Sequence, residues 1–248
     1  MRVSNLIGRG EPVAQVQICR GFGDKDWDEL GKRLVRGDAT QPNERDWQRA
    51  VEIFERRMRE RFFLCIEDLE KVRTQDYVPV PDEPNPDRRL PEESITTGFA
   101  IMALCCLLID TLQFFRAGAP TWTPPERCPR PENCANPLPG TGKAFIKFLT
   151  ECLSFEEKDA KKFYSGIRNG ILHQAETRGW VVRRDKPENR VVACEVEPCI
   201  LNRIFFCNAL RTWFNCYVNQ LRDPKEINLR RYFASGMKHV LDRCRNLN

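Results

Sequence analysis

The sequence predicts an all-α fold, a helical bundle that carries a small β-hairpin insertion and an irregular N-terminal segment. Three observations carry this. Trp47, Val51, Phe54, Met58, Phe62, Cys65 and Leu69 step by three or four, the apolar stripe of one long helix. Residues 95–116 are apolar on nearly all sides through Ile109, as a helix at the centre of a bundle must be. Short β-branched runs stand at 180–184 and 190–196, on either side of Asp185-Lys-Pro-Glu-Asn.

The elements follow in chain order. Gly8, Gly10, Gly21 and Gly23 break any helix in the first 23 residues and leave room for a strand around Val13–Cys19. Asp24 to Val35 reads as a short helix stopped at Gly37. Asn43 is the N-cap of the long striped helix, which runs to about Val72. Thr74–Glu93 is rich in Pro and Asp and reads as a loop, after which Ser94 caps the central helix Ile95–Arg116. Residues 117–142 form a Pro- and Cys-rich loop. Its end, Pro139-Gly-Thr-Gly-Lys143, fails the phosphate-loop pattern, with Pro137 where Gly is needed and Ala144 where a hydroxyl is needed. Lys143–Leu153 is a helix with Phe145, Phe148 and Leu149 on one face, and Ser154 caps the next, which Gly179 ends. A hairpin is expected over 180–197, then a helix from Pro198 through Leu221 with Leu201, Ile204, Phe205, Leu210, Trp213 and Tyr217 inward, and a last helix Ile227–Arg245. The organisation is an N-terminal extension, residues 1–42, and one helical domain, residues 43–248.

With 41% hydrophobic and 30% charged residues over 248 positions, the composition is that of a globular chain with a substantial core, not a disordered one. The N-terminus has no apolar stretch of the signal-peptide kind, and the most apolar run, Phe99–Ile109, is short for a bilayer and closed by Asp110. A cytoplasmic protein without a membrane partner is expected, its twelve cysteines reduced. Cys128, Cys134, Cys194 and Cys199 offer two pairs for a Cys₄ zinc site, with spacings looser than usual knuckles; free thiols are the stronger reading, and no metal or other cofactor is expected. The net charge of +5 is uneven: residues 143–248 carry 20 basic and 12 acidic side chains, an excess of +8, against −3 in the rest. A polyanionic ligand suits such a half.

That basic half contains Arg168, followed at once by Asn169 and, five positions on, by His173, one of two histidines in the chain. The types suit phosphodiester chemistry. A neutral imidazole takes a proton near pH 7, a guanidinium binds phosphate in a two-point fork, and an amide holds either the imidazole or the phosphate. His239, among Phe233, Met237, Val240 and Leu241, reads as structural.

The run Arg168-Asn-Gly-Ile-Leu-His173 resembles the Arg-x(4–6)-His signature of the HEPN superfamily, in which a polar residue commonly follows the Arg. Members are small all-α domains, many of them metal-independent endoribonucleases in toxin–antitoxin, phage-defence and RNA-processing systems. The resemblance covers the helical body from about Asn43 onward. It implies that His173 acts as base on a ribose 2′-hydroxyl or as acid on the leaving 5′-oxygen, that Arg168 stabilises the phosphorane-like charge, and that Asn169 orients the His or binds phosphate. It also implies RNA as substrate, a homodimer with a composite cleft, and an antitoxin or defence-complex partner. Alternatively it implies an inactive RNA-binding or protein-interaction module of a defence complex.

Residues near the motif extend the candidate set. Glu176 is placed to fix the His173 tautomer or, equally, is a solvated acid; Tyr164 and Ser165 reach the same cleft, Tyr164 with the stronger claim to packing. Lys161, Lys162, Arg178, Arg183 and Arg184 are phosphate contacts or solvated charges. Geometry sets a condition. On a continuous α-helix, residues five apart point about 140° away from each other. Arg168 therefore joins His173 only through its long side chain, a break at Gly170, or a second protomer.

Overall fold

A computed structural model of the chain describes residues 17–36, 43–72, 97–117, 141–174, 176–184, 191–194 and 198–245. The architecture is all-α with small strand pieces. Strands β1 (Gln17–Cys19) and β2 (Phe22–Gly23) form an antiparallel hairpin turned by Gly21 at φ 81°. Helix α1 (Asp24–Arg36) follows directly, and Asp26 accepts the N–H of Gly23. Ile18, Trp27 and Leu30 are buried in the same core as the bundle. The predicted stop at Gly37, the cap at Ser94, the loop 74–93 and residues 118–140 of the loop expected over 117–142 lie outside the described residues; the ends of that loop, Ala117 and Thr141–Gly142, are helical.

Asn43 caps the long helix as its spacing requires, its Oδ1 accepting the Arg45 N–H at 3.0 Å. The helix is α2 (Glu44–Met58), then a π-helical turn (Arg59–Phe63), then α3 (Leu64–Lys71). The turn corrects the stripe. A π turn spaces its contacts by five rather than four, so one residue too many enters the helix and every later position rotates by about 100°. Trp47, Val51, Phe54 and Met58 are buried as expected, but beyond the turn Phe63 and Ile66 are buried and Cys65 is exposed. The same rotation brings Glu67 and Glu70 onto Arg211 and Arg203 of a later helix.

Helix α4 (Thr97–Ala117) packs against α3 and four later helices. It runs longer than the apolar core of its sequence and is long and apolar enough to cross a membrane, with 56% of its most apolar window buried against its neighbours. Helix α5 (Thr141–Leu153) buries Phe145, Phe148 and Leu149, and its Ala144 carbonyl accepts from the buried amide of Gln113. Ser154 does not cap the next helix. It takes a left-handed φ of 56° in the corner, and Glu156 occupies the N-cap position without a side-chain bond.

From there α6 (Glu157–Phe163), a second π turn (Tyr164–Arg168) and α7 (Asn169–Gln174) form one continuous helical run. It ends at Gln174 rather than at Gly179, which instead makes the turn into β3 at φ 69°. The return segment crosses the helix closely. A Cβ on Gly166 would lie 2.5 Å from the Arg178 carbonyl oxygen, and one on Gly170 would lie 2.4 Å from that of Glu176. Glycine is required at both positions by this approach. Trp180, now buried, donates from Nε1 to the Lys162 carbonyl.

The expected hairpin is replaced by a three-stranded sheet of order β3 (Trp180–Arg183), β5 (Cys199–Asn202), β4 (Val192–Ala193). β5 pairs parallel with β3 and antiparallel with β4, so the two predicted strands do not meet. The helix expected from Pro198 begins later for the same reason. Residues 199–202 are strand, and Asn202 caps α8 (Arg203–Arg222) by accepting the N–H groups of Ile204 and Phe205. Its buried face is Phe206, Leu210, Phe214, Tyr217, Val218 and Leu221, while Ile204, Phe205 and Trp213 are half-buried. Helix α9 (Ile227–Arg245) closes the bundle with the bounds its sequence predicts.

Cys194 and Cys199 form a disulfide, Cα–Cα 4.4 Å. The antiparallel pairing of β4 with β5 brings them together, which overturns the expectation of reduced thiols for this pair. It also withdraws both from a zinc set, since a zinc ligand must be a free thiolate. Cys128 and Cys134 lie outside the described residues. The core is rich in rings: Phe54 meets Phe115 and Phe233 edge-on at 4.8 and 5.0 Å. A second group gathers around Phe163 and Phe206, stacked at 5.2 Å, while Trp213, stacked on Tyr217 at 5.3 Å, ties Phe148 to the first group.

The glycine crossing has a measurable consequence. Gly170→Ala and Gly166→Ala should each lower the stability to urea by about 1–3 kcal/mol. Gly31→Ala, where a Cβ meets nothing within 4 Å, should raise it by about 0.5–1 kcal/mol. Unchanged stability in both motif-helix variants would mean that the chain does not cross there.

Candidate functional site

The motif helix offers a different set of neighbours on each side. Phe163, Ile167 and Ile171 enter the core, and Gly166 and Gly170 lie under the return segment. Arg168 is left facing α4. Its Nη2 donates to Asp110 Oδ2 at 3.2 Å and its Nη1 to Asn169 Oδ1 at 3.1 Å, while the guanidinium lies 5.6 Å from the Tyr164 ring centre. Its Nε is buried without a hydrogen-bond partner among the described residues. The side chains of Arg168 and Asp110 are 17% and 31% exposed, so the pair is sheltered but reachable from one side.

Burial, opposed by the charge and hydrogen bond of Arg168, raises the Asp110 carboxyl above its ordinary 3.8. The adjacent Cys106 thiol is pushed strongly upward, by burial first and by the Asp110 carboxylate second. It is therefore not a nucleophile at neutral pH. Asp110 is the site residue that sequence reading missed, taken only as the end of an apolar run. The available signal was its charge: one carboxylate on a helix otherwise built for a core needs a cation, and Arg168 supplies it.

Arg168, Asn169 and Tyr164 thus converge. Tyr164 also packs against Phe145 at 5.6 Å, and so close to Gly142 that a Cβ there would lie 3.0 Å from the ring. His173 does not join them. It is exposed near the end of α7, and because residues 169–174 are α-helical the offset of about 140° from Arg168 stands. Gly170 is not a break but a close crossing, so of the three routes to convergence that one is removed. Asn169 turns its oxygen to Arg168, not to the imidazole. Glu176 is exposed and bonded through its backbone N–H to the Gly170 carbonyl. Ser165 donates to the Lys162 carbonyl.

The basic candidates divide. Lys161 pairs with Glu157 at 2.5 Å, Arg178 bonds Gln174, and Arg184 reaches Glu70 at 3.7 Å. Arg183 is exposed at the end of β3, and Lys162 is half-buried under Trp180. These are surface pairs of small energy that a phosphate can displace. His239 is half-buried with its ring 5.5 Å from Phe114, consistent with packing. Among the described residues no three His, Cys, Asp or Glu side chains gather where a metal ion could be held.

No protein-family model matches the chain, and neither a curated protein nor a solved structure is significantly similar to it.

The electrostatics of Asp110 give a signed expectation. A carboxyl whose folded pKa lies above its unfolded one favours the folded state below the unfolded value. That contribution is lost as pH rises through the folded pKa. Urea titrations of wild type and D110N should therefore diverge as pH rises above about 4, with wild type losing stability relative to the variant. Parallel profiles would mean that Asp110 titrates normally.

Proposed function

We propose that the chain is a metal-independent endoribonuclease of HEPN type, acting in defence or as a toxin. What supports this is the Arg168–Asn169 fork, held by Asp110 on one side of a helix whose next turn presents an exposed His173. Arg168 is preset to receive a phosphate oxygen, because its guanidinium is already oriented by two acceptors and its charge is permanent. His173 takes the proton of the 2′-hydroxyl or returns one to the 5′-oxygen, and solvent exposure leaves it free to meet substrate. Attack by the 2′-oxygen on phosphorus expels the 5′-oxygen and leaves a 2′,3′-cyclic phosphate. Arg168 stabilises the equatorial charge of the transition state.

The divergence of Arg168 and His173 favours a composite cleft in a homodimer, in which the arginine of one protomer works beside the histidine of its partner. Asn169 then acts by orienting Arg168. Lys161, Lys162, Arg178, Arg183 and Arg184 contact flanking phosphates, and an antitoxin or defence-complex partner restrains the activity.

The ion pair of Arg168 with Asp110 favours a second reading, a non-catalytic RNA-binding or protein-interaction module, since a neutralised guanidinium stabilises a transition state less. One experiment separates the two. Wild type, His173→Ala and Arg168→Ala are incubated with total RNA and tRNA in the presence of EDTA. Under the first reading, wild type leaves cyclic-phosphate ends, His173→Ala loses about 10²–10⁴ in rate and Arg168→Ala about 10²–10³. RNA retained uncut by all three would place the chain among the binding modules, and cleavage undiminished in His173→Ala would sink the enzyme assignment.

A further inference from the structure

The Cys194–Cys199 disulfide lies at a boundary between core and solvent. Cys199 opens β5, is 2% exposed, and stands in register with Trp180 of the parallel strand. Its N–H donates to the Gly179 carbonyl at 2.9 Å. Cys194 follows β4 and lines an open cleft of about 610 Å³, walled also by Leu153, Ser154, Phe155 and Val192. The two bonded cysteines therefore differ in access. Exchange depends on which sulfur a thiolate can approach, and the cleft leads to Cys194.

The loop closed by this bond is short, the two cysteines being five positions apart. A bridge across so short a loop constrains the unfolded chain less than a bridge across a long one. β5 stays held after reduction by backbone pairing on both edges and by the cap that Asn202 makes on α8.

We propose that Cys194–Cys199 is a thiol-exchange site, which takes a small dithiol reductant through this cleft. The reductant's thiolate attacks Cys194 Sγ. A mixed disulfide forms there as the Cys194–Cys199 bond breaks, and Cys199 leaves as a thiolate and takes a proton. The reductant's second thiolate then attacks its own sulfur in the mixed disulfide and expels the Cys194 thiolate. Two electrons pass to the protein pair, and the dithiol ends as a cyclic disulfide. With a monothiol such as glutathione the first step leaves the adduct on Cys194 until a second glutathione thiolate displaces it as oxidised glutathione or the Cys199 thiolate expels glutathione and restores the protein disulfide. Reduction removes the covalent tie between β4 and β5 but leaves their backbone pairing, and β5 is the strand paired with Trp180 beside the helix carrying Arg168 and His173. The site stands independently of the ribonuclease reading.

The test uses the full chain purified without reductant. Native protein is treated with dithiothreitol, quenched with N-ethylmaleimide and mapped by peptide mass spectrometry, with circular dichroism as the check on folding. Both cysteines should be released as thiols without denaturant, Cys194 taking N-ethylmaleimide in the native protein and Cys199 when the quenched sample is unfolded in its presence, while the helical signal before unfolding is unchanged. Wild type treated with reduced glutathione should carry the adduct on Cys194 at least tenfold over Cys199. Oxidised glutathione should modify Cys199→Ser protein, at Cys194, at least tenfold faster than it modifies Cys194→Ser protein at Cys199. Absence of the disulfide from the purified chain, reduction only in denaturant, or an adduct favouring Cys199 would each overturn the proposal; the wild-type glutathione mapping decides even where a variant fails to fold.

Discussion

The close crossing of residues 176–180 over Gly166 and Gly170 sets the geometry of everything near the motif. A backbone carbonyl sits where a β-carbon would be at both glycines, so the returning chain has one lane across the helix. That lane delivers Trp180 to the core, where its indole meets Phe163 edge-on at 5.8 Å and bonds the Lys162 carbonyl. Trp180 begins β3, β3 sets the register of β5, and Asn202 at the end of β5 caps α8. Helix, sheet and the start of the next helix are thus coupled through two missing side chains.

The crossing also assigns the remaining sides of the motif helix. With one side taken by the return segment and another by the core, Arg168 meets α4, and Asp110 is the acceptor waiting there. A carboxylate on so apolar a helix is costly unless paired, and a buried pair is worth most as a device for orientation rather than stability. Its role at the site is therefore to hold a guanidinium in one place, with Asn169 as the second acceptor. The same logic governs Arg203, 9% exposed at its side chain, which the absence of a side chain at Gly98 lets in against α4 and which Glu70 neutralises.

Two π turns give the bundle its phase. In the first, the extra residue turns Cys65 outward and Phe63 and Ile66 inward, and it moves Glu67 and Glu70 to where Arg211 and Arg203 can reach them. The second ends on Arg168 itself, the Asn169 N–H reaching back five residues to the Tyr164 carbonyl. π turns are frequent at functional sites because they redirect a side chain without breaking the helix.

Local chemistry alone determined most of the helices. The Asn43 cap, the stripe from Trp47 to Met58, the apolar stretch behind α4 and the bounds of α9 were all legible in the sequence, because caps and periodicity act over a few neighbouring residues. So was the Arg168–Asn169 pair as a candidate site. Tertiary structure decided the rest. No periodicity announces a π turn, so the burial of Phe63 over Phe62 was hidden. Residues 199–202 are as apolar as a helix start, and only the edges offered by β3 and β4 make them a strand. The partnership of Asp110 with Arg168 spans 58 positions, and that of Cys194 with Cys199 needs the β4–β5 pairing to form. The exposure of His173 away from Arg168 belongs to the same class. Contacts between distant segments depend on how elements pack, which no single stretch of sequence encodes.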